Sequence, residues 1–481
     1  MNYKLELENL FKKWSNQKPV TFTQITGSGS NRKYFRIISA DKTAIGVFNE
    51  NKKENKAFIY LTKHFSKNKL NVPEIYSSRL SKGIYLLEDL GDTTLYSFLI
   101  TKRKKREFPL EVIPFYKKAV EELAKFQIKA RVNLDFSICY PRPAFDKQSI
   151  MWDLNYFKYY FAKAFDINFD EQLLEDDFKT LTKFLLSADS NYFMYRDFNS
   201  RNIMIKDSEL YFIDYQGGRK GALQYDIASL LFDSKADIPE NLQKELLEHY
   251  LNYISKLIKI NYKEFLKYYD GFVLIRLLQM LGAYGYRGLF EGKSHFIQSI
   301  PYAIKSLEQI LKKFKTQIKI PELFSILEQL IKLDELKLFK VNKSNHNKLT
   351  VRINSFSYRG KIPVDPTGNG GGYVFDCRAI PNPGKIEKFK NLNGKNKEVK
   401  ELLDNMPEAK MFLNNTIKIV SQSIENYIAK GWTDLMINFG CTGGQHRSVY
   451  FAEKLAEYLS SKYDVTIEVT HTQLNKNKFI A

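Results

Sequence analysis

At Lys340–Lys348 the run KVNKSNHNK interrupts the pattern on either side of it. It is polar, lysine-rich and without periodicity, and it follows a helical stretch, which marks a domain boundary. A chain of 481 residues is expected to divide into two or three domains. We therefore expect one unit over 1–340, a linker over 341–348 and a second unit over 349–481.

The two sides differ in kind. Before the break, KYFRIIS, TAIGVFN and GIYLLEDL read as short strands, with a helix around Lys53–Phe65. Residues 110–190 carry apolar side chains at helical spacing. Two short apolar runs, YFMYRDF and ELYFIDY, suggest a β-hairpin insert. Helical patterns then return over Leu242–Leu257, Phe265–Leu281, Ala303–Phe314 and Pro321–Leu333. This is an α+β, protein-kinase-like layout in two lobes, about 1–92 and about 93–340. After the break, the strands KLTVRINSF, YVFDCRA, LMINFG and VTIEVTH alternate with helices at Asn396–Ile428, broken near Pro407, and RSVYFAEKLAEYLSSKY. Such alternation predicts a smaller α/β domain on a parallel or mixed sheet.

Composition excludes some classes. Hydrophobic residues are 44% and charged residues 27%, ordinary for a globular chain and wrong for a fibre or a disordered tail. The most apolar segment, Phe272–Tyr286, is broken by Arg276 and Gln279, so no membrane helix is expected. The opening MNYKLELENLFKKW has no apolar h-region and predicts no signal peptide. Cys139, Cys377 and Cys441 are odd in number and far apart, which points to a reducing, cytoplasmic setting. The net charge of +20 is spread over both halves and names no partner by itself.

Residues 195–202 read Tyr-Arg-Asp-Phe-Asn-Ser-Arg-Asn, an Asp with an Asn five positions on, and Asp214 ends a strand twelve residues later. Phosphoryl transfer needs such a set: a carboxylate beside the acceptor hydroxyl, and oxygen ligands for a metal across the ATP phosphates. Asp197 is the candidate catalytic base, and Asn202 and Asp214 the candidate Mg²⁺ ligands. Asp226 in QYDIASLL reads as an N-cap or as a buried brace for the catalytic loop. Upstream, the turn containing Ser28, Gly29, Ser30, Asn31 and Arg32 offers backbone N–H groups to phosphates. Glu88, Asp89 and Leu90, after a strand, fit an inter-lobe hinge that reads adenine.

The segments Ser30–Arg36, Leu86–Gly91, Arg196–Asn202, Ile213–Gln216 and Tyr225–Leu231 resemble the aminoglycoside phosphotransferase/choline kinase superfamily over roughly residues 15–315. The match is similar to its N-acetylmuramate/N-acetylglucosamine kinase branch. That resemblance implies ATP- and Mg²⁺-dependent phosphorylation of a cell-wall amino sugar at its anomeric hydroxyl. Two departures stand out. Tyr195 replaces the loop histidine, a change of packing rather than chemistry. TAIGVFN lacks the strand lysine that holds phosphates, so Arg32, Lys33, Lys52 or Lys53 must supply the charge, with Glu54 placed as the helix glutamate. Asp153 and Gln216 are candidate acceptor contacts. An acidic acceptor pocket, drawing on Asp153, Glu171, Glu175 or Asp176, would instead favour a cation such as choline or an aminoglycoside.

The second unit has its own site. Gly440-Cys-Thr-Gly-Gly-Gln-His-Arg-Ser448 joins a strand to a helix, and small residues before a helix N-terminus make an anion cradle. Its C-x₅-R spacing also fits a cysteine-dependent phosphatase, yet Gly440 replaces the preceding histidine and no general-acid loop is evident. Together with Ile362–Asp365, Tyr373–Arg378, Pro381–Pro383 and His471, the loop resembles the C-terminal domain of the RNase adapter protein RapZ over 349–475. That implies a phosphofructokinase-like fold binding glucosamine-6-phosphate, with RNA a further partner in RapZ itself. Arg378, Cys441, Thr442, Gly443, Gly444, His446, Arg447 and Ser448 would line the sugar-phosphate pocket. Gln445 in place of a lysine, and a tail with only Lys476 and Lys478, weigh against RNA. No P-loop motif occurs.

The expected protein is thus a sugar kinase with a sugar-phosphate-binding regulatory domain. The alternatives are an RNA-binding, metabolite-sensing regulator with a weak or inactive kinase domain, and a kinase for another small alcohol or amine.

Overall fold

The computed structural model describes all residues except 1–2, 26–31, 105–106, 316, 335, 337–347, 366, 368–371, 431 and 475–481. They form two compact units, one of Met1–Arg287 with Ser299–Lys337, the other of Gly288–Gln298 with Leu338–Ala481. The expected linker lies outside the described residues apart from Lys348.

The first unit begins with a helix, Tyr3–Ser15, unforeseen because its charges mask a stripe at Leu7, Leu10 and Phe11. That stripe packs on Phe35, Ile37, Ala44, Ile84 and Leu86 of an antiparallel sheet. Its strands are β1 (Thr21–Ile25), β2 (Lys33–Ile38), β3 (Thr43–Phe48), β4 (Ile75–Arg79) and β5 (Ile84–Leu87), in the order β1-β2-β3-β5-β4. Gly46 in β3 lets the helix settle, since a Cβ there would lie 2.9 Å from Ile37 and 3.2 Å from Leu7. The helix Lys52–Lys67, capped by Asn51, links β3 to β4.

The rest of this unit is helical, around the buried helix Tyr262–Tyr284. Two small ladders sit among the helices, and they correct the expected hairpin. β6 (Tyr192–Met194) pairs with β9 (Arg219–Gly221), not with the second apolar run. That run is β8 (Glu209–Phe212), and it pairs with β7 (Ile203–Lys206). Asp207 and Ser208 both hold positive φ, so they close β7–β8 by the tight turn that matches strand twist. The catalytic-loop residues therefore lie between two ladders, which fix both of their ends.

The second unit has a four-stranded sheet of β10 (Thr350–Ser357), β11 (Gly372–Asp376), β12 (Asp434–Cys441) and β13 (Thr466–His471), ordered β11-β12-β10-β13. Every pairing is parallel, so of the two expected sheet types the purely parallel one is found. Central β12 is buried along nearly its whole length, as a strand covered on both faces must be. The expected break at Pro407 separates the helices Lys397–Asp404 and Pro407–Ala429. Among the described residues no helix is long and apolar enough to cross a membrane.

Candidate functional site

The loop after β6 is held from beneath. Asp226 is fully buried, and its two oxygens accept the backbone N–H of Tyr195 at 2.7 Å and of Arg196 at 2.8 Å. Gln127 donates to it at 3.3 Å. It is a brace and not a cap; the N-cap of its helix Leu223–Leu231 is Ala222. Burial pushes its carboxyl up to about 7, against the pull of those N–H groups. Tyr195 is also fully buried, in edge contact with Phe126, Phe198 and Tyr215. Its hydroxyl donates to the Ile213 carbonyl at 2.6 Å, tying the loop to the strand end that carries Asp214.

Above this floor the predicted residues meet. Asn202 donates to the Asp197 carbonyl at 2.9 Å and to the Asp214 carboxylate at 3.4 Å. Asp214 sits at φ +67°, which swings its carboxylate back toward the loop. Its carboxyl is pushed up, first by desolvation and next by the negative charge of Asp197. Gln216 donates to Asp214 at 2.6 Å. The carboxylate of Asp197 is 42% exposed and receives Arg276 at 3.3 Å. The Asn202 amide oxygen and the half-exposed Asp214 carboxylate are hard oxygen donors, which fit a small divalent cation that draws its other ligands from phosphates and water. Among the described residues no group of three or more His, Cys, Asp or Glu could hold a metal by itself.

One of the cations considered in place of the strand lysine is brought to the site. Arg32, nearly buried at the start of β2, pairs with Glu54 at 2.8 Å and lies 3.8 Å from Asp214. Lys33 reaches Tyr3 instead, and Lys52 and Lys53 are exposed. Ser28, Gly29, Ser30 and Asn31 lie outside the described residues. At the hinge, Glu88 takes Lys206 at 2.7 Å, and Asp89 takes Arg36 through two bonds of 2.7 and 3.0 Å. Leu90 is buried. The hinge acids are thus ion-paired, and backbone groups remain for a ligand.

The acidic residues considered for an acceptor pocket are engaged. Glu171 and Glu175 bind Lys158, and Asp176 binds Lys179. Asp153 alone of them adjoins the loop, pairing with Arg196 at 2.6 Å. Arg276 was not anticipated as a site residue. Its signal was present, since a charge in an apolar helix must be paired.

In the second unit the loop Thr442–His446 leaves β12 beside the end of β10, and the helix Arg447–Lys462 follows. Gly444, at φ +67°, folds its N–H back to the Cys441 sulfur at 3.2 Å, and Ser448 meets that sulfur at 3.2 Å. Ser357 donates to the Thr442 carbonyl at 2.6 Å. Nothing lies within 4 Å of a Cβ built on Gly443, so the loop's mouth is open there. His446 is bound to the Phe389 carbonyl at 2.9 Å, and Arg447 donates to the carbonyls of Arg378 and Ile380 at 3.1 and 2.6 Å. The Arg378 guanidinium pairs with Asp376 and lies 4.0 Å over the Tyr358 ring. Loop and helix N-terminus form the cradle, and several predicted contact side chains stiffen it.

A half-exposed carboxylate with oxygen donors next to it and a buried arginine–glutamate pair close by is an arrangement suited to phosphoryl transfer. The chain belongs to the phosphotransferase enzyme family, whose model matches residues 21–262. The RapZ C-terminal domain matches residues 349–475. A nucleotide-binding protein of Thermosipho melanesiensis is 37% identical over 168 residues, 34% of this chain and 59% of its own. Another, from Bacillus subtilis, is 39% identical over 127 residues, 26% of this chain and 41% of its own. The chain spans about half the length of the curated relatives it matches. Solved structures with a similar fold include an ethanolamine kinase of Plasmodium vivax, at TM-score 0.45 and 14% identity over 62% of this chain and 84% of that one. A choline kinase of Streptococcus pneumoniae aligns at TM-score 0.40 and 14% identity, over 65% and 99%.

Proposed function

We propose that this chain is a cytoplasmic, ATP-dependent kinase for a cell-wall amino sugar, N-acetylmuramate or N-acetylglucosamine, acting at the anomeric hydroxyl. The reading rests on one observation: Asp197, Asn202 and Asp214 converge on a loop pinned by buried Asp226. Asp197, oriented by Arg276, takes the proton of the acceptor hydroxyl. That oxygen attacks the γ-phosphorus, the bond to the β–γ bridging oxygen breaks, and ADP leaves. Asn202 and Asp214 would hold Mg²⁺, which when bound neutralises phosphate charge. Arg32, kept rigid by Glu54, is placed to meet the phosphates. With the Glu88 N–H taken by the Glu74 carbonyl, the Glu88 carbonyl and the Leu90 N–H would read adenine. The 349–475 domain binds an amino-sugar phosphate in the Thr442–His446 cradle and tunes the kinase.

The test is ADP release with MgATP over N-acetylmuramate, N-acetylglucosamine, glucosamine, choline and kanamycin. Turnover of an amino sugar, reduced by about a thousandfold in Asp197→Ala, supports the reading. No turnover with any acceptor would transfer weight to the second reading, a metabolite- and RNA-binding regulator, which the RapZ-domain match favours. Steeply salt-dependent binding of structured RNA would then be its mark.

A further inference from the structure

Three guanidinium groups converge beside Asp197. Arg276 donates to its carboxylate at 3.3 Å. Arg196, at φ +82°, turns under the loop to Asp153 at 2.6 Å and to the Tyr225 hydroxyl at 2.6 Å. Arg219, on β9, donates to the Gly217 carbonyl at 3.0 Å and the Ser149 hydroxyl at 3.4 Å. Gly217 abuts the acceptor carboxylate, since a Cβ on it would lie 4.0 Å from Asp197 and 3.7 Å from the Arg196 chain.

The charges do not balance. Asp153 pairs with Arg196 and Asp197 with Arg276, and among the described residues no carboxylate lies within salt-bridge distance of Arg219, which is 5% exposed and feels those two carboxylates only at longer range. A buried cation whose nearest carboxylates are already paired with other cations is costly. The cost registers in the side chain itself: burial, and then the charge of Arg196, pushes Arg219 down to about 10. Polar atoms here that are buried and without a hydrogen-bond partner include Nε of Arg276 and Oδ2 of Asp153. Oε1 of Gln216 is a further buried acceptor without a partner, so beside its three guanidinium groups the site has two spare acceptors, the complement of a molecule carrying both an anion and hydroxyls.

We infer that the acceptor is an alcohol bearing an anionic group, a carboxylate or a phosphate, held by Arg219 and Arg276, and that Arg219 sets this specificity. The inference rests on the phosphotransfer reading of Asp197. It disfavours choline, glucosamine and aminoglycosides, whose positive charge would face uncompensated guanidinium.

The test uses acceptors that share a ring and differ in charge: N-acetylmuramate with a carboxylate, N-acetylglucosamine 6-phosphate with a phosphate, and neutral N-acetylglucosamine. The full-length wild type is expected to prefer one anionic sugar over the neutral one by about tenfold or more in kcat/KM. Which one wins tells carboxylate from phosphate. Arg219→Gln should bring that preference to within about threefold, and Arg219→Lys should retain most of it. Equal or better turnover of the neutral sugar by the wild type would overturn the inference and leave the kinase reading standing. So would an equal loss for every acceptor in Arg219→Gln while Arg219→Lys behaves as wild type. If no acceptor turns over, calorimetry with the same sugars decides. Anion-selective binding lost in Arg219→Gln sustains the anion site at Arg219 while the missing turnover sinks the kinase reading, and binding without charge preference overturns both.

Discussion

The strand that would carry a phosphate-holding lysine reads TAIGVF, and the buried cation comes instead from the start of the strand before it. Arg32 is locked against Glu54 at 2.8 Å, so its planar fork is pre-organised. Arg32→Met is expected to raise KM for ATP by about tenfold or more, with kcat less affected, and Arg32→Lys to recover part of that. Unchanged ATP saturation in Arg32→Met would remove Arg32 from the nucleotide site. At this scale the sequence was informative wherever spacing encodes chemistry. Asp197, Asn202 and Asp214 were legible because a loop of fixed length must bring them together. Arg196 and Arg219 were not, because partners 43 and 70 positions away give no local pattern, and Arg276 showed itself only as a charge in an apolar helix.

Elements hold these side chains in place, and two of their supports can be tested. Asp226→Asn turns an amide N–H₂ toward a backbone N–H, of Tyr195 or Arg196, leaving a buried donor unpaired. Unfolding stability should fall by about 1–3 kcal/mol, read by denaturant titration. A loss within error would show that Asp226 does not brace the loop. In the second unit, His471 bridges Ser355 and Glu453 at 2.8 Å each. Burial lowers its ring below the ordinary value, more than Glu453 raises it. A group depressed in the folded state contributes stability above its unfolded value near 6.5, and that stability is lost as pH falls through the folded value. Thermal unfolding of the full chain should therefore shift downward between about pH 7.5 and about pH 5.5, and less so in His471→Gln. An equal shift in both proteins would exclude the histidine. Long helices and the β10–β13 alternation were legible from period alone. The β6–β9 and β7–β8 pairings were not, because strands of three or four residues carry no register signal, and Arg219–Gly221 has no strand composition at all.

At the scale of the whole molecule, the proposed function makes the second unit report on the product class of the first. Millimolar glucosamine-6-phosphate is expected to raise the Tm of the full chain's second-unit transition, as any ligand of the folded state does. Gly443→Asp probes the cradle without disturbing it, because a side chain there meets nothing within 4 Å yet brings a carboxylate to the anion loop. The variant should fold like the wild type and lose the ligand shift; a retained shift would place the ligand elsewhere. The run Lys340–Lys348 was read as a domain break because composition and period change together there. The net charge of +20 was uninformative, since it cannot distinguish solvated lysines from buried arginines. The most direct measurement is ³¹P NMR of the full chain with MgATP and N-acetylmuramate. We expect ADP and a new sugar-phosphate resonance in equal amounts, both absent with Asp197→Ala. ADP appearing only with inorganic phosphate, or a product unaffected by Asp197→Ala, would contradict phosphotransfer at this site.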